Sequence, residues 1–396
     1  MLSVADAIAQ LTTGVSAAVG SEEVAAHQCL GRILSADIMA PLDVPPADNS
    51  AMDGYAFCYQ DAVAENFTLP LSQRVAAGQA PQSLDNLTAA RIFTGGEIPS
   101  GADTVAIQEN CRERDGRVII DKQIVAGANV RPKGQDIQCG AKVLSVGTLL
   151  RPQELGLLAS LGIQSLPLYK QLRVAFFSTG DELVEPGNKL QPGQIYDSNR
   201  ATLNALISSL GMLAVDLGRV PDNPTATLEV LQQASEQADI ILSAGGVSVG
   251  EEDYVKQALE TLGQIDFWKV AIKPGKPIAF GEMQGKPFIG LPGNPASVFV
   301  TFMILVRPFL LRSQGCGKIT PALHKAKALF SRSGEKREVY LRGRLVEGAV
   351  EIHRNQSSGV LSSACWGDAL VIQRPNISIN RGDAVDIVPF SELGLV

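Results

Sequence analysis

The feature that most constrains the fold is an alternation of strand-like and helix-like segments between residues 173 and 262. Short apolar runs suited to buried strands are separated by longer amphipathic stretches suited to helices. This alternation predicts βαβ units and an open, mainly parallel sheet, in which ligands bind at the carboxyl ends of the strands. The predicted segments are strands at 173–178, 213–220 and 239–243 and helices at 199–210, 225–238 and 254–262.

Outside this region the sequence pattern changes. Residues 1–39 have helical spacing of apolar side chains, including a second segment around 22–34. Short β-type runs broken by Gly, Pro and Asn characterise residues 40–140, and a helix is predicted again at 153–161. The last region, 319–396, returns to strands and turns and has a size that suits a small β-barrel.

These changes predict four parts in the chain, with a long helix from Pro295 to about Arg312 closing the α/β part. The parts are a helical linker part (21–39 and 141–172), an inserted β-rich domain (40–140), an α/β domain (1–20 and 173–318) and a C-terminal β-barrel domain (319–396).

Charge and composition exclude several classes of function. The chain has 396 residues and a formal net charge of −7, so it lacks the basic surplus that nucleic-acid binding requires. Its six cysteines and three histidines are scattered, which indicates reduced thiols and no zinc site. A bound metal is therefore expected to be a hard cation on oxygen ligands. We see no signal-peptide pattern and no apolar run long enough to span a membrane, so we expect a cytoplasmic protein without a membrane partner.

Carboxylates follow the predicted strand ends of the α/β domain. Glu182 comes after the first strand and Asp222 after the second, and Asp253 begins a helix after the turn that contains Gly245 and Gly246. Each acid also has a structural explanation as a helix cap or turn residue, as does the cluster 196–199 before another helix. The glycine-rich turn matches neither G-x-G-x-x-G nor G-x-x-x-x-G-K-[ST], which argues against a dinucleotide site and a P-loop.

Two lysines, Lys273 and Lys276, lie in the turn Lys-Pro-Gly-Lys-Pro, whose prolines stiffen the backbone. The segment 290–297 then leads into the long helix, where Asn294 or Ser297 offers a cap and the helix N-terminus offers N–H groups to an anion. The lysine turn also has the simpler interpretation of a charged surface loop.

Acids and lysines that met at one edge of the sheet would form a site for a phosphate and a metal ion. A hard divalent cation would bridge Glu182, Asp222 and Asp253 to the anion, and the lysines would approach the anion from its other side. In the β-rich domain, Asp53, Thr94 and Asp136 lie in segments that are also explained as turns.

Eight motifs in order along the chain resemble those of one family, the molybdopterin molybdenumtransferases or MoeA proteins, whose relatives include the gephyrin C-terminal domain. The motifs are NSAMDGYA (49–56), FTGGEIPSGADTV (93–105), RPKGQDIQCG (131–140), STGDEL (178–183), QIYDSN (194–199), SAGGVSVGEEDY (243–254), AIKPGKP (271–277) and LPGNPASV (291–298). The match is looser over 319–396.

The resemblance implies a multidomain α/β plus β fold. It comprises a three-layer α/β domain with an open, mainly parallel sheet of the molybdopterin-binding type, an inserted β-rich domain, a helical linker part and a small C-terminal β-barrel. The implied reaction takes adenylylated molybdopterin and molybdate, cleaves the phosphoanhydride, and releases AMP and molybdenum cofactor with the help of Mg²⁺. The resemblance also implies a homodimer, with molybdopterin adenylyltransferase and molybdoenzyme maturation proteins as partners.

The resemblance assigns site residues position by position. The catalytic positions are Asp53, Thr94, Asp136, Glu182, Asp222 and Asp253, and the metal-binding positions are Glu182, Asp222 and Asp253. The substrate-binding positions are Gly245, Gly246, Ser248, Lys269, Lys273, Lys276, Pro292, Asn294, Pro295, Ser297, Arg337 and Ser362. Relatives often have a small residue or a single acid in place of Glu251 and Glu252, so the roles of these two acids stay open. Because Asp53 and Thr94 lie outside the α/β domain, we expect them to complete the site across the dimer.

Two alternatives belong to other functional classes. An adenylyltransferase would load AMP onto the pterin with the same type of α/β domain, but relatives with that activity consist essentially of the α/β domain alone. A non-catalytic pterin carrier or scaffold would bind the substrate without releasing AMP, and the chain has no long linker or added partner domain.

Overall fold

The structure, a computed structural model, describes residues 1–121, 124–246 and 254–395. These residues form two compact units, each built from separate stretches of the chain. The larger unit comprises Met1–Ala36, Val146–Arg151 and Ser165–Val396, and the smaller comprises Asp37–Ser145 and Pro152–Gln164.

The larger unit contains an open six-stranded sheet, which confirms the fold class expected from the sequence. Its first four strands in spatial order are parallel to one another. Each of the last two pairs antiparallel with the strand before it in that order. The spatial order is Leu213–Val220, Arg173–Thr179, Ile240–Ala244, Lys286–Leu291, Pro277–Met283 and Gly263–Lys269.

Both faces of this sheet are buried, because successive side chains of its strands enter two different cores. Val174 and Phe176 pack in one core, while Ala175 and Phe177 pack in the other. Helices cover both faces and complete three layers. The first core includes side chains of Ser198–Ser209 and Pro295–Ser313, and the second includes side chains of Pro224–Gln237 and Tyr254–Leu262.

The long helix Pro295–Ser313 lies at the centre of the first core. It is α-helical over Pro295–Thr301, forms a π-helical turn over Phe302–Val306, and is α-helical again over Arg307–Ser313. This helix is long and apolar enough to cross a membrane, but 94% of its apolar window is buried inside the protein, as in a core helix. The N-terminal helix Val4–Thr12 packs in the same core.

The predicted barrel is present near the C-terminus. Its strands close on themselves because Glu338–Val346 pairs antiparallel with both Ala349–Ile352 and Ala369–Gln373. The other pairings join His324–Ala328 to Ala349–Ile352 and to Ala384–Pro389, and Ala384–Pro389 to Ala369–Gln373. A short strand outside the barrel, Ile272–Lys273, pairs parallel with the first two residues of a barrel strand, Glu338 and Val339.

The smaller unit is also rich in strands, in agreement with the β-rich insertion predicted from the sequence. Its main sheet has the spatial order Thr104–Ile107, Gly54–Phe57, Ala89–Ile92, Thr68–Val75, Arg117–Ile120 and Cys111–Arg114. Two short antiparallel pairs, Asn49–Ser50 with Val130–Arg131 and Ile38–Met39 with Lys142–Leu144, and two helices, Tyr59–Ala64 and Pro152–Ser160, complete the unit.

The helix expected around residues 22–34 is wrong. The structure has a strand, Ser21–Ala25, which pairs antiparallel with Ser165–Tyr169 in register from Ser21 opposite Tyr169 to Ala25 opposite Ser165. Because the partner strand lies some 140 positions away along the chain, local apolar spacing carries no information about this pairing.

The packing of the long helix predicts a large stability effect. Leu305 is fully buried in it, so Leu305→Ala is expected to lower the free energy of unfolding by about 2–5 kcal/mol. Urea unfolding followed by circular dichroism measures the change. Leu323→Ala, at a site that is 51% exposed, is the matched control and should stay within about 0.5 kcal/mol of wild type. Equal effects of the two substitutions would contradict the assignment of this helix to the core.

Candidate active site

A cavity of about 790 Å³ lies where the four parallel strands of the large sheet end. Loops that follow all four strands at their carboxyl ends line it, as expected for this type of sheet. The lining residues from these loops are Thr179, Gly180 and Glu182, then Asp222, then Gly245 and Gly246, and finally Pro292, Gly293, Asn294 and Ser297. The remaining walls come from the loop 273–277 and from Arg337, Gln356, Ser357 and Ser358.

Two exposed carboxylates, Glu182 and Asp222, line one side of the cavity. The Asp222 loop is joined to the neighbouring loop by reciprocal hydrogen bonds. The backbone N–H of Asp181 donates to Asp222 Oδ2 at 3.3 Å, and the backbone N–H of Asp222 donates to Asp181 Oδ1 at 3.2 Å. The ends of two neighbouring strands are therefore held together, with both acids on one wall.

The two lysines that line the cavity differ in their surroundings. Lys273 Nζ donates to both carboxylate oxygens of Glu335, at 2.7 and 3.0 Å, and Arg332 also pairs with Glu335. Burial alone would raise the pKa of Glu335, but the hydrogen bond and charge of Lys273, together with Arg332, lower it. Lys276 is exposed and makes no ion pair with any residue in the described part of the chain. Among the residues that the structure describes, Lys273 therefore has a carboxylate partner and Lys276 has none.

The lysine loop is fixed from two directions. On one side, Ile272–Lys273 pairs with the barrel edge, and Arg337 Nη1 donates to the carbonyl of Ile272 at 3.1 Å. On the other side, Gly275 has a φ of +96°, and a Cβ there would lie 2.4 Å from Thr301 Cγ2. Only glycine allows this backbone to pack against the long helix, which explains the Lys-Pro-Gly-Lys-Pro sequence of the turn.

The first N–H groups of the long helix are already used within the protein. The N–H of Ala296 donates to the carbonyl of Ser358 at 2.9 Å, and those of Ser297 and Val298 donate to the carbonyl of Asn294 at 2.9 Å. The expectation that this helix N-terminus offers these N–H groups to an anion is therefore wrong. The lysine side chains of the lining remain available to an anion in the cavity.

The cluster 196–199 supports the cavity from behind. Asp197 is the N-cap of the helix Ser198–Ser209, and its side chain accepts hydrogen bonds from the N–H of Arg200 and from the hydroxyl of Ser178. Asn199 Nδ2 donates to the carbonyl of Gly293 at 2.7 Å. The cap interpretation holds, at a position neighbouring the expected Ser198 or Asn199, and Asn199 additionally anchors a loop of the cavity.

Most of the substrate-binding positions predicted from the sequence line the cavity, and three do not. Lys269, Pro295 and Ser362 lie outside the lining, and Ser362 begins a short helix, Ser362–Trp366. The serines of this region that line the cavity are Ser357 and Ser358. The sequence signal that could have identified them is the polar run NQSSG at 355–359, whose composition is typical of a loop between a strand and a helix.

Of the three candidates in the smaller unit, Asp53 and Thr94 are hydrogen-bonded to each other. Asp53 Oδ1 accepts hydrogen bonds from the backbone N–H and the hydroxyl of Thr94, at 2.8 and 2.7 Å. These bonds, the backbone one foremost, lower the pKa of Asp53, so the carboxylate stays charged. Asp136 is exposed, and its backbone N–H donates to the carbonyl of Val44.

The acids Glu182, Asp222 and Asp253 were predicted to bind a metal ion, and the first two lie among the described residues. The predicted residues Ser248 and Asp253, together with Glu251 and Glu252, lie outside the described residues. Within the described ranges no group of three or more His, Cys, Asp or Glu side chains is arranged to hold a metal. Two carboxylates on one wall nevertheless fit Mg²⁺, which is commonly held by one or two carboxylates plus the phosphates of a substrate.

Fold and cavity define a class of protein in which a three-layer α/β domain carries a polar cavity at the carboxyl ends of its parallel strands. Comparison with family models agrees, because residues 175–312 match a probable molybdopterin binding domain. Residues 2–162 match the MoeA N-terminal region (domain I and II), and residues 325–390 match the MoeA C-terminal region (domain IV). The chain belongs to the MoeA family of molybdopterin molybdenumtransferases.

Individual relatives agree with this assignment over nearly the whole chain. A molybdopterin molybdenumtransferase of Haemophilus influenzae is 39% identical over 380 residues, covering 93% of each chain. One of Nostoc sp. is 42% identical over 358 residues, covering 86% of this chain and 82% of the relative. The crystal structure of the molybdopterin biosynthesis moeA protein from Pyrococcus horikoshii OT3 matches with a TM-score of 0.86 and 27% identity, covering 98% of this chain and 100% of that one. The protein therefore functions in molybdenum cofactor biosynthesis as a molybdenum transferase.

The pairing of Lys273 with Glu335 predicts a shift in titration. Lys273→Met is expected to raise the pKa of Glu335, because it removes the hydrogen bond and charge that offset burial. A lowered carboxyl pKa contributes stability that is complete above the ordinary glutamate value and is lost as pH falls through the lowered value, so in the variant this contribution should be smaller and its loss should be complete at a higher pH. Titration of carbon-13-labelled glutamates by NMR measures this. Lys276→Met is the control and should leave the titration of Glu335 unchanged. An unaltered Glu335 titration in Lys273→Met would contradict the ion pair.

Proposed function

We propose that the protein inserts molybdate into adenylylated molybdopterin, cleaving the phosphoanhydride and releasing AMP, with Mg²⁺ as the assisting cation. The observation that carries this proposal is the cavity at the strand ends. There, two carboxylates oppose two lysines and an arginine within one volume of about 790 Å³. A site of this composition suits a ligand with a phosphate and a second oxyanion, since each wall can compensate a different charge.

The acidic wall would hold the cation. Glu182 and Asp222 supply hard oxygen donors, and phosphate oxygens of the substrate would complete the coordination. Asp253 remains a candidate for the same role. A bound Mg²⁺ would neutralise charge on the phosphoanhydride and orient it for cleavage.

The basic wall would bind the oxyanions. Lys276 has no ion pair with a described residue, so its full charge is available to a phosphate or molybdate oxygen. Lys273 is held by Glu335, and Arg337 is held by the carbonyl of Ile272. Both side chains therefore enter the cavity with restricted conformations. Charges held in fixed positions stabilise charge that develops during bond cleavage.

This chemistry is electrostatic and positional, without a covalent intermediate on the enzyme. None of the described residues that line the cavity is a cysteine or histidine. The dithiolene sulfurs of the pterin would accept the molybdenum, so no protein thiol is needed. Asp53 and Thr94 form a preorganised carboxylate–hydroxyl pair, and we include both, with Asp136, in the catalytic set.

The proposed reaction is tested by the nucleotide it releases. Purified protein is incubated with adenylylated molybdopterin, molybdate and Mg²⁺, and AMP and molybdenum cofactor are measured. Release of both supports insertion. Formation of adenylylated pterin from molybdopterin and ATP would instead identify an adenylyltransferase, and binding without AMP release would identify a carrier.

Removal of the less compensated lysine is expected to cost the most activity on the basic wall. Lys276→Met should lower the rate of AMP release by about 100-fold or more, because one preorganised charge is lost where charge develops. Steady-state kinetics with adenylylated molybdopterin measure the change. Lys336→Met, at an exposed position outside the cavity lining, is the control and should leave the rate unchanged. A wild-type rate in Lys276→Met would remove this residue from the proposal.

The acidic wall predicts a changed requirement for the metal. Asp222→Asn should raise the Mg²⁺ concentration for half-maximal activity by about 10-fold or more, since even residues that only orient a metal ligand cost 10- to 100-fold in affinity. Asp253→Asn is expected to act in the same direction. Glu229→Gln, on the exposed face of the helix Pro224–Gln237, is the control. If both asparagine variants insert molybdenum at the wild-type rate and with the wild-type Mg²⁺ response, the metal assignment is wrong.

We also propose that the protein acts as a homodimer in the cytoplasm. The support is the family resemblance, which likewise suggests contacts with the adenylyltransferase that supplies the substrate and with molybdoenzyme maturation proteins. Light scattering of the purified protein tests the dimer directly. A molar mass equal to one chain at assay concentration would contradict it.

A further inference from the structure

The loop Gln356–Ser357–Ser358 lines the cavity although it belongs to no helix or strand. Such a loop keeps a defined position only if hydrogen bonds from neighbouring elements hold it. Several of the bonds that do so come from one residue of the barrel, Arg342, in the strand Glu338–Val346.

The first set of bonds uses the backbone of this arginine. The N–H of Arg342 donates to Gln356 Oε1 at 3.0 Å, and Gln356 Nε2 donates to the carbonyls of Arg342 and His353, at 2.9 and 3.0 Å. The carboxamide of Gln356 thus completes the edge of the strand like a short backbone partner. This fixes the first residue of the loop.

The second set of bonds uses the guanidinium. Arg342 is 1% exposed, and its Nη2 donates to the carbonyl of Ser357 at 3.2 Å. Its Nε donates to Ser363 Oγ at 2.9 Å, and Nη1 approaches the carbonyl of Tyr340 at 3.5 Å. All of these acceptors are neutral. Burial, with the nearby charge of Arg332, lowers the pKa of Arg342 to about 10, as expected for a buried cation without a carboxylate partner.

Packing alone does not account for a charged residue at this place. An apolar side chain of similar length would fill the same volume without the cost of burying a charge. What the guanidinium adds is a bond to the loop that borders the cavity. The far end of that loop is joined to the long helix, where the carbonyl of Ser358 accepts the N–H of Ala296.

We propose that Arg342 is a positioning residue that holds the loop 356–358 against the cavity and thereby sets the affinity for the tetrahedral oxyanion substrate. The inference rests on the proposed function, in which Lys273, Lys276 and Arg337 bind the oxyanions, and the loop lines the same cavity as these residues. Arg342 itself is buried behind the wall and does not line the cavity. Its effect is therefore transmitted through Ser357 and Gln356.

Binding of molybdate alone, measured by calorimetry without the pterin, tests the proposal. Arg342→Met keeps the length of the side chain and removes the hydrogen bonds of the guanidinium, while the backbone bonds to Gln356 remain. It should weaken molybdate binding by about 10- to 100-fold, because a misplacement of about 1 Å can cost up to about 100-fold. In the full reaction its KM for molybdate should rise while kcat at saturating molybdate changes by less than about threefold, because ground-state and transition-state binding are lost together. Arg342→Lys, which can bond the Ser357 carbonyl but not also Ser363, should recover part of the affinity.

Arg344→Met is the matched control. Arg344 lies on the same strand, is about half exposed, and pairs with Glu351 at the surface. Its substitution should leave molybdate affinity and KM at the wild-type values. A loss equal to that of Arg342→Met would show a general effect of the strand and overturn the proposal.

Two further variants separate the possible failures. If Arg337→Ala binds molybdate as wild type does, the proposed oxyanion site is wrong. If Arg337→Ala weakens binding and Arg342→Met does not, the site stands and the positioning role is overturned. If Arg342→Met does not fold, Ser363→Ala decides, because it removes one acceptor of the guanidinium and leaves the charge in place. It should weaken molybdate binding measurably, and wild-type binding would overturn the proposal.

Discussion

The parallel pairing of four strands, three of them largely buried, determines where chemistry can take place in this protein. Since successive side chains of each strand enter different cores, neither face of the sheet is open to a ligand. The loops at the carboxyl ends are the parts of these strands that can carry exposed polar groups, and parallel pairing brings them to one edge. Glu182, Asp222 and the turn at Gly245 are far apart in sequence and share one cavity for this reason.

The two lysines that line this cavity differ in their ion pairs. Lys273 is ion-paired with Glu335, whereas Lys276 has no such partner among the described residues. The first lysine is therefore held in place by a carboxylate that offsets its charge, and the second has no such carboxylate within the described ranges. Substrate recognition needs both properties, because a fixed group defines geometry and an uncompensated group supplies attraction.

Local sequence patterns were sufficient for the α/β core and insufficient for long-range pairing. Apolar runs and amphipathic stretches located the strand Leu213–Val220 and the helix Tyr254–Leu262, since each of these reflects burial within a short segment. The hairpin Pro277–Met283 and Lys286–Leu291 was missed, because prolines argue against interior strands and here occupy the first or second strand position. Motif matching located most of the cavity lining but failed at Ser362. The loop that contributes serines there is defined by hydrogen bonds to a distant arginine, and spacing along the chain does not reveal them.

The short strand Ile272–Lys273 has a consequence for how this chain could have been assembled. It lies in sequence between two strands of the large sheet and pairs with the start of the barrel strand Glu338–Val346. Glu335, just before that strand, binds Lys273. Replacing the barrel in this chain would therefore remove both the pairing partner of Ile272–Lys273 and the counter-ion of Lys273. A substituted domain would have to supply a new partner strand and a new carboxylate at the same time.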